Sequence, residues 1–106
     1  MARGAVLAGA MAALVWSAGL VSAHSPLLAC YDNGDGTISC EAGYSDGASA
    51  AGQVVRIISS DQRLIAEGAF DEVGTFTFAK PEPGFYVEFE GDASHLATFY
   101  EEDLYQ

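Results

Sequence analysis

Basic residues are scarce in this chain, which has four lysines and arginines against 15 aspartates and glutamates and a formal net charge of −11. A surface of that sign repels nucleic acid and anionic membranes and attracts cations. We therefore expect no nucleic-acid partner and no attachment to a membrane through basic residues. A sustained apolar period of about 3.6 residues is also lacking, so the sequence does not predict a helical fold.

Apolar runs long enough to cross a membrane are lacking as well. Residues 5–20 are apolar and uncharged, but a membrane-spanning helix needs roughly 20 such residues. Arg3 precedes this run and residues 21–23 (VSA) follow it, which is the layout of a cleaved secretory signal peptide. The sequence thus predicts a signal peptide at residues 1–23 and one small periplasmic domain at residues 24–106, which does not insert into the membrane. A retained membrane anchor is the alternative.

A second processing site competes with the first. Residues 27–30 (LLAC) resemble a lipobox, in which Cys30 would be lipidated and everything before it removed. Residues 24–26 separate this motif from the apolar run, whereas a lipobox normally closes that run directly. Cleavage after residue 23 is therefore the prediction. Lipidation of Cys30, which would remove His24, stays open.

Cysteine is limited to Cys30 and Cys40, both in the part predicted to be exported. An even cysteine count in an oxidising compartment favours one disulfide. The β-rich residues 27–31 and 37–44 flank a strong turn cluster at residues 32–36 (DNGDG). Pairing these strands about the turn places the two cysteines opposite each other, within reach of a disulfide. Thiolate ligation of a metal is the alternative, although this spacing is not that of a structural zinc site.

Short β-rich runs with turn signals between them continue to the end of the chain. This pattern predicts an all-β fold, a small seven-stranded antiparallel β-sandwich of the transthyretin-like or immunoglobulin-like kind. The five further strands are predicted at residues 53–59, 64–67, 75–78, 85–90 and 96–100. The acidic tail, residues 101–106, is predicted to fray. The predicted core consists of Leu28, Ile38, Val55, Ile57, Leu64, Phe76, Phe78, Phe85, Val87 and Phe89.

Sites made of carboxylates or nucleophiles are weakly marked. Residues 32–38 echo a calcium loop, but the register of an EF-hand would put Tyr31 and Ala42 where carboxylates are required, so we interpret the segment as a hairpin turn. Glu88 and Glu90 share one face of a strand and could hold a hard cation weakly, or simply be solvated. No serine or cysteine has a histidine at a sequence spacing that indicates a catalytic pair, so the sequence predicts a protein that is not an enzyme.

The two histidines are the strongest candidate ligands. A mature chain that begins at His24 would offer its α-amine and its imidazole to one metal ion, and His95 would add a third nitrogen, a set that suits Cu(II) or Ni(II). Pro26 has no amide N–H and so blocks the chain of deprotonated amides used by simple N-terminal metal peptides. Tight binding would therefore need His95 or a carboxylate such as Asp92. In the alternative interpretation the two histidines never meet.

Three segments share a layout with a known sandwich. They are residues 52–57 (G-x-x-V-x-I), 71–78 (D-E-x-G-x-F-x-F) and 85–89 (F-x-V-x-F). This layout resembles the transthyretin-like, carboxypeptidase-regulatory-like β-sandwich. The resemblance implies a fold and no function, because such folds host unrelated functions.

A narrower resemblance concerns function. The predicted mature chain has His24 before an apolar strand, then an acidic turn, residues 43–47 (GYSDG), the sandwich pattern and a late His95. This order resembles the small periplasmic accessory component (NikL-like) of energy-coupling-factor nickel and cobalt importers, in which a Gly-His pair follows the last main strand; here Ser94 precedes the histidine. The resemblance implies a protein that captures nickel or cobalt and presents it to membrane importer subunits. A copper-binding sandwich with the same ligands, and a metal-free module that docks a partner through an exposed sandwich face, remain open.

Overall fold

Seven strands form two stacked antiparallel sheets in the computed structural model, which describes residues 25–91 and 96–106. The strands are β1 (Pro26–Asp32), β2 (Thr37–Tyr44), β3 (Val54–Ser59), β4 (Leu64–Ala69), β5 (Thr75–Ala79), β6 (Phe85–Glu90) and β7 (Leu96–Tyr100). Sheet A has the order β1-β2-β5 and sheet B the order β4-β3-β6-β7. The predicted all-β sandwich is confirmed, whereas the predicted signal peptide lies outside the described residues. No helix in these two segments is long and apolar enough to cross a membrane.

Alternating side chains build the core between the sheets, because successive residues of a strand point to opposite faces. Phe89 of sheet B is fully buried, and its ring lies 5.8 Å from that of Tyr44 in sheet A. Of the predicted core, Leu28 and Phe76 are partly buried, Leu64 is exposed and the others are buried. The prediction missed Cys30, Cys40, Tyr44, Ala50 and Phe70, which are also buried.

The prediction that Leu64 belongs to the core is wrong, since 58% of the residue is exposed. Leu64 and Ala66 are two residues apart, so in a regular strand their side chains would point to the same face. Ala66 pairs with Ile57, which faces the core. A register shift between Ile57 and Ile58 then pairs Ile58 with Leu64 and leaves Ile65 as the extra residue. One extra residue moves the side chains beyond it to the opposite face of the sheet. Leu64 therefore points to the outer face of sheet B.

The two cysteines form a disulfide across the β1–β2 hairpin, as predicted. Cys30 pairs directly with Cys40, and their Cα atoms are 4.0 Å apart. Both residues are fully buried in the core. A disulfide leaves neither a thiol for lipid attachment nor a thiolate to bind a metal ion, so this structure favours neither lipidation nor thiolate ligation. The disulfide is consistent with an extracytoplasmic protein.

The prediction that the tail frays is also wrong. After β7 the chain forms a 3₁₀ helix, Glu101–Asp103, and then returns to sheet A. Tyr105 pairs in parallel with Tyr31 of β1: its N–H donates to the carbonyl of Cys30 (3.1 Å), and the N–H of Asp32 donates to its carbonyl (2.7 Å). The tail thus covers the free edge of β1, where unpaired backbone groups would otherwise face solvent.

Candidate functional site

The three residues predicted to bind a metal, His24, Asp92 and His95, lie outside the described residues. The structure does describe the neighbours of the two histidines. Ser25 follows His24 and leads into β1, and Leu96 follows His95 and is the first residue of β7. The positions of these two strands therefore bear on the predicted site.

β1 and β7 lie beside each other on one side of the sandwich and begin at the same end of it. Pro26, at the start of β1, pairs with Tyr44, whose ring contacts Phe89 at a centroid distance of 5.8 Å. Phe89 in turn pairs with Ala97, the second residue of β7. At the opposite end, the side chains of both strands meet the ring of Tyr105.

The start of β1 is held in place by a reciprocal pair of hydrogen bonds. The N–H of Ser25 donates to the hydroxyl of Ser45 (2.8 Å), and the N–H of Ser45 donates to the carbonyl of Ser25 (2.8 Å). The turn that carries Ser45 is closed by Asp46, whose side chain accepts the N–H of Ala48 (3.0 Å). Short polar side chains favour such local turns. The described neighbour of His24 therefore has a defined place on the sandwich.

Carboxylates elsewhere in the described segments do not form a metal site. No group of three or more histidine, cysteine, aspartate or glutamate residues is placed to hold an ion within residues 25–91 and 96–106. Glu67 and Glu90 bind the guanidinium of Arg56 instead, at 2.7 and 3.2 Å. These hydrogen bonds, the one from Glu67 first, raise the pKa of Arg56.

The turn that echoes a calcium loop uses its carboxylates internally. Asp35 accepts hydrogen bonds from the N–H (3.0 Å) and the hydroxyl (2.6 Å) of Thr37. Asp32 accepts the N–H of Gly34 (2.9 Å) and binds Lys80 at 2.7 Å. Hydrogen bonds from Thr37 and Lys80, respectively, are the main causes that lower the pKa values of Asp35 and Asp32. The segment is a hairpin turn, as interpreted from the sequence.

An open groove of about 470 Å³ lies between the β3–β4 turn and the β5–β6 connection, and no motif in the sequence indicates it. Ile65, Pro81 and Pro83 supply its apolar lining. Asp61 accepts a short hydrogen bond from the buried Ser59 hydroxyl and pairs with Arg63 at 3.3 Å. The hydrogen bond from Ser59 is the main cause that lowers the pKa of Asp61. The side chains of Ser59, Asp61 and Arg63 are thus bonded to one another at the groove. Residues 59–65 and 81–84 meet through sheet pairing, which no local pattern encodes.

Comparison of the chain with protein-family models, with curated proteins and with solved structures gives no match. The resemblance to a nickel-importer component therefore remains a prediction from the residues. Since a fold alone does not define function, the function must be inferred from the chemistry of specific residues and from where the sheets bring their neighbours.

Proposed function

We propose that this protein is an exported, non-enzymatic metal-binding accessory protein that captures nickel or cobalt and presents the ion to a membrane importer. The observation that supports the proposal is the common starting point of β1 and β7. Each of these neighbouring strands follows a histidine within two residues, so the residues that come directly after the two histidines lie at the same end of the sandwich.

The proposed ligands are the α-amine and imidazole of a mature N-terminal His24 and the imidazole of His95. Asp92 and His95 both lie between β6 and β7 in the sequence, and Asp92 would supply a carboxylate. An α-amine ordinarily has a pKa of about 7.7–8 and an imidazole one of about 6.5, so all three nitrogens can be neutral near neutral pH. Binding would release protons from the fraction still charged, so affinity is expected to rise with pH through this range.

The acidic composition supports the capture of a cation, and the disulfide supports a role outside the cytoplasm. A formal net charge of −11 raises the local concentration of cations around the protein. The Cys30–Cys40 disulfide is consistent with an extracytoplasmic protein, and the location that we propose is the periplasm. Copper binds most nitrogen sites more tightly than nickel or cobalt, so the proposed choice of metal depends on supply and on the importer.

The first experiment measures the mature chain itself. Intact mass of the exported protein, with and without nickel, reports the N-terminus, the disulfide and the metal stoichiometry together. Calorimetry then compares the chain beginning at His24 with two variants, His95→Ala and a chain with one alanine added before His24. We expect one ion per chain, and a loss of at least tenfold in affinity for each variant.

Matched controls separate this site from the general acidity of the protein. Glu41→Gln and Glu102→Gln each remove an exposed carboxylate from the sandwich, and we expect both to bind nickel as the unmodified protein does. If the mature chain binds neither nickel nor cobalt more tightly than the His95→Ala variant does, the proposed site is ruled out. A cellular function that is unchanged when both histidines are replaced would favour the metal-free docking module.

A further inference from the structure

Four apolar side chains form a continuous row across the outer face of sheet B. Leu64 pairs with Ile58, Ile58 with Tyr86, and Tyr86 with Tyr100, so one side chain comes from each of the four strands. Leu64 and Tyr100 are 58% and 52% exposed, and the rings of Tyr86 and Tyr100 lie 6.2 Å apart. We call these four residues the tyrosine row.

A row of charged residues lies next to the tyrosine row on the same face. Arg56 of β3 pairs across the sheet with Glu67 and Glu88, and Glu90 follows at the end of β6. Arg56 binds the carboxylates of Glu67 and Glu90, whereas that of Glu88 has no ion-pair partner among the described residues. This row holds three carboxylates and one guanidinium. The tyrosine row is therefore bordered by negative charge.

The outer face of sheet A has a different character. Its central side chains are small and polar, and they bond to one another: Ser39 to Thr77 (2.8 Å), and Asn33 to Ser39 (2.9 Å) and to Thr37 (3.0 Å). Because these polar groups already bond to one another, a partner that binds there would gain few new hydrogen bonds. The exposed apolar residues of sheet A, Leu27 and Tyr31, lie on its edge strand β1, whereas the tyrosine row crosses all four strands of sheet B.

Charge decides what could cover this face. A second copy would bring another chain of formal net charge −11 and the same carboxylates into contact, which electrostatic repulsion opposes. A partner with lysine or arginine side chains would place their charges on the carboxylates of this face, above all on Glu88, which has no ion-pair partner among the described residues. Their aliphatic stems could lie along Leu64 and Ile58, and their charged ends could stack on the tyrosine rings.

We propose that the tyrosine row and Glu88 form a docking surface for a basic segment of a partner protein, in which cationic and apolar side chains are interspersed. This inference is independent of the proposed metal site, which lies at the start of β1 and β7. The tyrosines and leucine supply apolar contact area, and the bordering carboxylates select for positive charge and orient the segment.

The probe is a capped peptide of alternating lysine and leucine, compared with one of alternating lysine and glycine at equal charge. Amide chemical shifts of the full chain report where each peptide binds. We expect shifts clustered at Ile58, Tyr86, Glu88 and Tyr100, and binding of the lysine–leucine peptide at least tenfold tighter than that of the lysine–glycine peptide. Equal affinity, shifts spread over the acidic residues of both sheets, or no binding would overturn the proposal.

Variants test the two components of the surface separately. Tyr86→Ser with Tyr100→Ser is expected to lower affinity for the lysine–leucine peptide at least tenfold, and Glu88→Gln to lower it a few fold and to weaken its salt dependence. Thr77→Ser on sheet A is the matched control and should bind normally. Thermal melts confirm that each variant is folded. Self-association that the tyrosine variants abolish would instead identify a second copy as the occupant and overturn the proposal.

Discussion

The two sheets of the sandwich are stabilised by different means. Sheet A has three strands and is held by the buried Cys30–Cys40 disulfide and by the polar contacts of its β1–β2 turn. Sheet B has four strands, and β3 and β6 in its middle bury an apolar side chain at every inward position from Val55 to Ile57 and from Phe85 to Phe89. Sheet A also buries Ile38, Tyr44 and Phe78 in the shared core, so its disulfide is a covalent constraint that it has in addition to burial.

The largest expected effect comes from the buried side chains of sheet B. Phe89 is fully buried and contacts the rings of Tyr44 and Phe70 at 5.8 and 5.2 Å. Phe89→Ala removes these contacts and leaves a cavity, so we expect the free energy of unfolding to fall by about 3–5 kcal/mol in urea denaturation. Tyr100→Ala is the matched aromatic truncation on the exposed face, and we expect it to cost about 0.5 kcal/mol or less. Similar losses in the two variants would contradict the assignment of stability to burial in sheet B.

The next largest effect comes from the covalent constraint of sheet A. Cys30→Ala with Cys40→Ala releases the β1–β2 hairpin, and we expect a loss of about 2–3 kcal/mol. Hydrogen exchange should locate the loss, with the amides of β1 less protected and those of β3 and β6 changed less. The unmodified chain under reducing conditions is the control and should resemble the double variant. An equal rise in exchange in both sheets would show that the disulfide stabilises the sandwich as one cooperative unit.

A smaller effect comes from the glycine turn that leads into β5 of sheet A. Gly74 has φ +81°, and a Cβ placed there would lie 2.6 Å from the carbonyl oxygen of Ala42 in β2. Gly47 has φ +89° and open space around it, so it isolates the cost of the backbone conformation. We expect Gly47→Ala to cost about 1 kcal/mol and Gly74→Ala about 2 kcal/mol, by thermal denaturation. Equal costs would mean that β2 and β5 shift apart freely, and that sheet A is less constrained than its contacts indicate.

Local patterns predicted most of this fold because strands and turns are encoded over a few residues. Alternation marked the buried side of β6, and the turn cluster with its two cysteines predicted the paired hairpin and its disulfide. The bulge that turns Leu64 outward was missed, since the extra residue Ile65 is as apolar as its neighbours. The docking of Tyr105 was missed because it depends on an edge of β1 that exists only after folding.

The candidate metal site shows the same limit. A cleavage signal singles out His24 and composition singles out His95, but the common starting point of β1 and β7 follows from the order of strands in two sheets. The tyrosine row has a similar origin, because Tyr86 and Tyr100 are brought together by register. The chemistry of single residues can thus be predicted from the sequence, whereas the long-range pairing of strands determines which residues become neighbours.

The smallest expected effect distinguishes the turns of the two sheets by pH. The pKa values of Asp32 and Asp35 in the sheet A turn, and of Asp61 in the β3–β4 turn, are held below their ordinary values by hydrogen bonds from Lys80, Thr37 and Ser59 respectively. A lowered pKa means that the unfolded chain binds more protons, so these carboxylates stabilise the fold above about pH 4 and lose that contribution as pH falls through their folded values.

Sheet A has two such carboxylates in its turn and sheet B has one, so acid should weaken the β1–β2 hairpin more. We expect Asp32→Asn with Asp35→Asn to remove more of the loss in melting temperature between about pH 6 and pH 3 than Asp61→Asn does. Both variants should be less stable than the unmodified protein at about pH 6, where all three groups are ionised. An equal or larger effect of Asp61→Asn would mean that the β3–β4 turn, and not the polar turn of sheet A, governs the acid sensitivity of the sandwich.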